Sequence, residues 1–113
     1  MSGRRAVARA ELRELHVRLL ANAQRDLSDI EAYYDEKVPH ETERCLDAIE
    51  ATLDWIVDHA HQPPASRFGL RRVSTDTFRY SVWYRLFEEE QFVQVVAILH
   101  HRRGDDALTE RVL

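Results

Sequence analysis

The sequence predicts an α+β domain in which a helical hairpin packs on one face of a mainly antiparallel sheet. Residues 22–60 repeat apolar residues at a spacing of three or four, which indicates amphipathic helices. Residues 70–99 alternate apolar with polar residues or run continuously apolar, which is typical of strands. The predicted element order is β-α-α-β-β-β. A chain of 113 residues has room for one domain of this kind.

The first half predicts one strand and two helices. Residues Leu15–Leu20 alternate and predict the first strand. Asn22 is the predicted N-cap of the first helix, whose apolar face consists of Leu27, Ile30 and Tyr34. Val38-Pro39 ends this helix, because a residue before proline is pushed out of the helical region. The second helix is predicted from about Pro39 to about Ala60.

The second half predicts three strands in a meander. The first is Leu70–Ser74, and Thr75–Thr77 is the turn that follows it. In the segment from Phe78 to Leu86, aromatic or aliphatic residues alternate with Arg79, Ser81, Trp83 and Arg85, which predicts a long strand. After the hairpin at Glu88–Glu90, the nearly all-apolar Phe92–Leu99 is predicted to lie in the centre of the sheet.

Domain bounds and cell compartment follow from the same features. We expect residues 15–105 to form the domain, with 1–14 as an N-terminal extension and 106–113 as a tail. The longest apolar run, Val95–Leu99, is too short to cross a bilayer, so no membrane association is expected. Arginines near the N-terminus are not followed by the apolar stretch of a signal peptide. The single Cys45 cannot form an internal disulfide. These features predict a cytoplasmic protein.

The charges are segregated along the chain. Residues 22–60 carry a net charge of −8, whereas residues 67–103 carry +3, within a total of −4. Asp26 and Asp29 lie near the start of the first helix, where the helix dipole favours them. His59 and His61 could bind a metal, but no further ligand is placed beside them, so helix-end capping is the better interpretation. We therefore expect neither a metal nor another cofactor.

The candidate site consists of basic and aromatic residues on or beside the predicted strands: Arg71, Arg72, Arg79, Trp83, Arg85, His100, His101, Arg102 and Arg103. Neighbours in a strand point to opposite faces, so we expect that His100 and His101 do not share one site, and likewise Arg71 and Arg72. An arginine-lined face with Trp83 or Tyr84 nearby suits RNA or an acidic protein segment. Alternatively, these arginines pair with the acidic helices of the same molecule.

The motifs in this order resemble the RelE/ParE toxin superfamily, over Leu15 to about Asp105. Two helical patterns carry the first part of the resemblance: Ala23-x-x-Asp26-Leu27-x-x-Ile30-x-x-Tyr33-Tyr34 and Ala48-Ile49-x-x-Thr52-Leu53-x-x-Ile56. Three strand patterns carry the rest: Gly69-Leu70-Arg71-Arg72, Phe78-Arg79-Tyr80-x-Val82-Trp83-Tyr84-Arg85 and Ile98-Leu99-His100-His101-Arg102-Arg103. The derived element order is also that of the superfamily.

The resemblance implies a type II toxin that a cognate antitoxin neutralises. It leaves two mechanisms open. ParE-like members inhibit DNA gyrase, whereas RelE-like members cut mRNA on the ribosome. Leu99-His100-x-Arg102-Arg103 looks more like ParE and its plasmid-stabilisation relatives, and an acidic chain is poorly suited to ribosomal RNA. The tail after Gly104 also has no aromatic residue or His to stack on a base.

We therefore expect a non-enzymatic gyrase inhibitor that contacts its partner or target through Arg71, Arg72, Arg79, Trp83, Arg85, His100, Arg102 and Arg103. If the chain is instead an RNA endonuclease, the catalytic candidates are Arg71, Arg72, His100, His101 and Arg102. A toxin fold that has lost its toxicity is the third alternative.

Overall fold

The computed structural model describes residues 16–112, and its centre is a four-stranded sheet in the order β1-β4-β3-β2. The strands are β1 (His16–Leu19), β2 (Arg71–Ser74), β3 (Tyr80–Phe87) and β4 (Phe92–His100). β1 is parallel to β4, whereas β2–β3 and β3–β4 are antiparallel. The predicted α+β class is confirmed, and β4 lies between two strands as expected. The N-terminal extension and the predicted strand start at Leu15 lie outside the described residues.

Two helices, α1 (Ala21–Lys37) and α2 (Thr42–His59), form the predicted hairpin, with a 3-10 turn at Pro39–Glu41 between them. Helix α1 begins before Asn22, and Leu20 occupies its N-cap without a side-chain hydrogen bond, so the predicted Asn22 cap is wrong. The start of the helix is set by the sheet. Leu20 N–H donates to Val95 O at 3.0 Å, and Leu20 O accepts the first helical bond from Gln24 N–H at 2.9 Å.

The main core fills the space between the helices and the sheet. Its innermost side chains, which are almost completely buried, include Val17, Ile49, Leu53, Ile56, Val82, Tyr84, Val93 and Val95. Burial raises the pKa of Tyr84 to about 12, and its hydroxyl donates to Ala60 O at 2.8 Å, just after α2 ends. Cys45 is fully buried in the same core.

A β-bulge decides which apolar residues of β4 point to each face of the sheet. The pairing shifts between Trp83 and Tyr84, which face Ala97 and Val95 of β4, so Val96 has no partner in the ladder. Val95 and Ile98 consequently pack against the helices, whereas Val96 and Leu99 belong to a second apolar cluster with Leu70 and Leu108. The β4 residues from Val95 to Leu99 are thus buried, whichever face they point to.

Leu108 belongs to a C-terminal helix, α3 (Gly104–Val112), that was not predicted. It follows a 3-10 turn at His101–Arg103 and spans the residues on either side of the expected domain end at 105. Leu108 is 3% exposed, so the residues interpreted as a tail contribute to the second apolar cluster.

The β2–β3 connection is longer than predicted. Phe78 and Arg79 have φ values of 69° and 58°, in the left-handed region, so β3 begins at Tyr80 and not at Phe78. Thr75 N–H donates to Tyr80 O at 2.9 Å and closes the loop. Among the helices that the structure describes, none is long and apolar enough to span a membrane.

Candidate partner- and target-binding surface

A depression of about 310 Å³ lies on the sheet face opposite α1 and α2, where β4 ends. Cross-strand neighbours form its floor: Ser74 pairs with Ser81, Arg72 pairs with Trp83, and Ser81 pairs with Leu99. His100 and His101 complete the lining. We call this set of residues the open-face depression.

Both histidines line this depression, so the prediction that they could not share a site is wrong. The alternation of strand side chains ends at His100, because His101 begins the 3-10 turn. His101 N–H donates to Arg79 O at 2.9 Å, which holds the turn against the β2–β3 loop. The two imidazole centroids are 6.3 Å apart.

Arg71 and Arg72 lie on opposite faces, as strand geometry predicted. The Arg72 guanidinium lies over the Trp83 ring, 5.5 Å from its centroid, beside the open-face depression. The Arg71 guanidinium donates to the carbonyls of His61 and Pro63, in the segment that follows α2. Arg71 therefore holds the end of the helical hairpin against β2 and does not line the open-face depression.

His100 lies at the edge between the two sheet faces. Its ring is T-shaped against Tyr80, with centroids 5.2 Å apart, and its Nδ1 accepts a hydrogen bond from Arg102 N–H at 3.2 Å. Burial lowers the pKa of His100, and electrostatic interactions with Arg102, His101 and Arg79 lower it further. At neutral pH the ring is therefore uncharged and carries its proton on Nε2, since Nδ1 is used as an acceptor.

The remaining predicted site residues are spread around this depression. Arg102 is exposed in the 3-10 turn, and Arg79 is exposed in the β2–β3 loop. Arg103 lines a smaller depression of about 170 Å³ next to α1, with Asp26 and Asp29. Arg85 is half-buried and pairs with Gln94 of β4. It lies five residues after Tyr80 on β3, away from the end of the sheet that carries the open-face depression, and it does not line that depression.

The alternative, that the sheet arginines pair with the acidic helices, fits neither Arg71 nor Arg72. Their guanidinium contacts are with carbonyl oxygens and with an aromatic ring, respectively. The buried helix carboxylate of Asp26 is instead bound by Arg111 of α3, through two hydrogen bonds of 2.8 and 2.5 Å. Asp26 Oδ2 also accepts the Ile98 N–H at 2.9 Å. Asp26, expected to act on the helix dipole, therefore links α1, β4 and α3.

Sequence reasoning missed part of the lining. Ser74 and Ser81 were not singled out, although their period-two spacing from Arg72 and Trp83 places them on the same face. The interpretation of His59 as a helix-end residue is confirmed, because its Nδ1 lies 3.0 Å from Trp55 O and its ring stacks on Trp55. Among the described residues, no group of three or more His, Cys, Asp or Glu side chains is placed to hold a metal.

The comparison with known families identifies the family to which this fold belongs. Residues 17–104 match the model of the ParE toxin of the type II toxin–antitoxin system parDE. The chain belongs to the ParE toxin family. It is thus a member of the RelE/ParE superfamily and the toxin of a type II toxin–antitoxin system. Membership of this family implies that its partner is a cognate antitoxin.

Two solved structures are similar to this ParE-family chain. The first is described as a chromosomal ParDE toxin–antitoxin system from P. aeruginosa. It is 18% identical with a TM-score of 0.66, and the match covers 76% of this chain and 95% of the other. The second is a double mutant of E. coli toxin RelE in the free state, 13% identical with a TM-score of 0.48, where the match covers 86% and 96%. No curated protein matched the sequence.

Proposed function

We propose that this chain is a ParE-like toxin that acts in the cytoplasm, inhibits DNA gyrase without cutting RNA, and is neutralised by a cognate antitoxin. The observation that carries the proposal is the family match over residues 17–104, which is to the ParE branch of the superfamily. Gyrase and its DNA are cytoplasmic, so the target and the proposed compartment agree.

The chemistry of the open-face depression supports a contact surface. His100 is a poor general base, since Nδ1 already accepts the Arg102 N–H and Nε2 carries the proton. Arg72 above Trp83 presents a flat cation that can form paired hydrogen bonds with a carboxylate or a phosphate. The proposed contact residues of this surface are Arg72, Trp83, His100 and Arg102, with Arg79 and Arg103 at its rim. In this proposal Arg71 and Arg85 stabilise the fold and do not contact the partner or target.

The C-terminal residues also favour gyrase over the ribosome as the target of the toxin. Leu108 and Arg111 of α3 pack against the body of the protein, and residues 104–113 contain no aromatic side chain or His that could stack on a base. The net charge of −4 gives weak attraction to ribosomal RNA, where neutralised phosphates supply much of the affinity.

One observation favours the RelE-like alternative. His100 and His101 line the same depression as Arg72, which is an arrangement that could bind a phosphate and move a proton. In that case His101, which is exposed, is the stronger candidate for proton transfer.

Controlled induction in a bacterium distinguishes the two functions. We expect growth arrest with stalled replication and an SOS response, and rescue by the product of the reading frame adjacent to the toxin gene. Loss of cellular mRNA and of translation without an SOS response would favour the ribosome-dependent nuclease. Normal growth at high toxin levels would indicate a toxin fold that has lost its toxicity.

A further inference from the structure

The lining of the open-face depression consists of hydrogen-bond donors and apolar groups. Among the described residues that line it, none is acidic, although the chain carries 20 acidic residues. The donors include the Arg72 guanidinium, the Ser74 and Ser81 hydroxyls and the His100 and His101 imidazoles. A depression of about 310 Å³ with this lining suits an anion that offers several acceptor oxygens.

Ser81 lies at the floor of the depression and has a poor partner within the protein. It is 4% exposed, yet its one polar contact among the described residues is with Ser74 Oγ, at 3.5 Å. A good bond between two hydroxyls is about 2.7–2.8 Å long, so this contact is weak. Leaving a buried polar group without a good partner costs free energy, and a bound ligand can supply that partner. The buried hydroxyl therefore indicates a ligand with acceptor oxygens.

The depression is positively charged, although the whole chain is acidic. The Arg72 guanidinium lies beside it, over the Trp83 ring, and Arg79 and Arg102 are exposed around it. Burial lowers the pKa of His100, and electrostatic interactions with Arg102, His101 and Arg79 lower it further, so these groups act together at the end of β4. The acidic segment, residues 22–60, forms the helices on the other face of the sheet.

We propose that the open-face depression binds a backbone phosphate of the DNA that gyrase holds. The inference rests on the proposed function, since it names the part of the gyrase–DNA complex that this site contacts. Arginine and serine side chains are common donors to DNA phosphates, and such contacts fix a position on the duplex without reading its sequence. A net charge of −4 attracts free nucleic acid weakly, so we expect binding where gyrase presents the DNA.

The donor set favours a phosphate over a carboxylate of the gyrase protein. A carboxylate is satisfied by a flat, two-bond pair with one guanidinium, which Arg72 alone could form. The depression adds the serine hydroxyls at its floor and the His101 imidazole in the 3-10 turn, on sides that such a pair leaves unused. The oxygens of a phosphodiester are arranged tetrahedrally, so they can accept from these further donors while two of them bind Arg72.

The test compares binding of the full toxin chain to purified gyrase alone and to gyrase with a bound duplex that contains its cleavage site. Wild-type toxin should bind the gyrase–DNA complex with a Kd about tenfold or more lower than gyrase alone. Arg72→Gln should lose this gain and keep its Kd for gyrase alone within about twofold of wild type. Arg25→Gln, at an exposed position of α1, is the matched control and should retain the gain. Thermal denaturation verifies the folding of both variants.

Ser81→Ala provides a second measurement that a purely structural role would not explain. It should reduce the gain from DNA about fivefold, the loss of one hydrogen bond to a charged group. Its thermal midpoint should not fall, because the hydroxyl has only a weak partner in the free protein. Ser28→Ala, at an exposed position of α1, is its control. A gain unchanged in Ser81→Ala would overturn the assignment of the phosphate to this depression.

The remaining outcomes separate the phosphate site from the proposed function. If Arg72→Gln weakens binding equally with and without DNA, the site contacts an acidic segment of gyrase, and the phosphate assignment is wrong while the toxin still acts on gyrase. A wild-type Kd that does not depend on DNA would overturn the phosphate assignment in the same way. If the toxin binds neither form of gyrase and leaves supercoiling unaffected, the proposed function itself is wrong.

Discussion

Arg111 and Asp26 are separated by 85 positions in the sequence, yet they form a bidentate ion pair whose side chains are 17% and 6% exposed, respectively. The Arg111 pKa is raised mainly by its hydrogen bond to Asp26. Because Asp26 also accepts the Ile98 N–H, the pair ties the C-terminal helix to α1 and to β4, two residues before His100. It therefore supports the surface on which we expect the toxin to act.

Breaking this pair should destabilise the protein. Arg111→Met leaves the Asp26 carboxylate buried with one hydrogen bond. The free energy of unfolding should fall by about 3 kcal/mol, the lower end for a buried ion pair, because Arg111 is partly exposed. Urea denaturation measures the change. Arg44→Met, which breaks the exposed pair with Glu41, is the matched control and should cost less than about 1 kcal/mol. Equal losses in the two variants would contradict the role given to the buried pair.

The core of the helical hairpin provides a second prediction. Leu53 is fully buried on α2 between the helices and the sheet. Leu53→Ala should lower the free energy of unfolding by about 2–5 kcal/mol, because it removes apolar contacts and leaves a cavity. Glu43→Ala, at an exposed position in the first turn of the same helix, removes only a favourable interaction with the helix dipole and should change it by less than about 1 kcal/mol. A loss at Leu53 no larger than at Glu43 would mean that this face of α2 does not form the core.

His100 makes stability depend on pH. Its pKa in the folded protein is lower than the usual value of 6.5, mainly because of burial. The unfolded chain therefore binds the proton more readily, so the contribution of His100 to stability is present above pH 6.5 and declines as the pH falls below that value. The thermal midpoint of wild type should decrease over this range more steeply than that of His100→Asn. His101→Asn is the control, and parallel curves for wild type and His100→Asn would contradict the prediction.

The sequence predicted the order of elements and the central position of β4, because both depend on local hydrophobic periodicity. It could not reveal the bulge at Val96, which depends on how two strands match in register. Helix α3 was also missed. Nine residues are too few to indicate a stable helix, and α3 is held by Leu108 packing and by the Arg111–Asp26 pair.

In the candidate site, residues within regular strands were predicted better than residues at the strand ends. Alternation correctly separated Arg71 and Arg72 onto opposite faces, but it left open that Arg72 is the one that lies beside Trp83. His101 was misplaced, because the end of β4 cannot be read from Leu99-His100-His101 alone. Arg71 was grouped with the site on residue type, and only the structure gives its bonds to the His61 and Pro63 carbonyls.

Gyrase inhibition without RNA cleavage can be tested by a gyrase supercoiling assay run beside a ribosome-programmed mRNA cleavage assay. Wild-type toxin should inhibit supercoiling with accumulation of cleaved DNA, and should leave the mRNA intact. Arg72→Ala should raise the inhibitory concentration by about tenfold, the loss of one good charged contact, whereas Arg25→Ala, at an exposed position of α1, should leave it unchanged. The opposite result would be mRNA cut at codon positions by the wild type, with no effect on gyrase. If His101→Ala abolished those cuts at unchanged thermal stability, the toxin would be a ribosome-dependent nuclease and not a gyrase inhibitor.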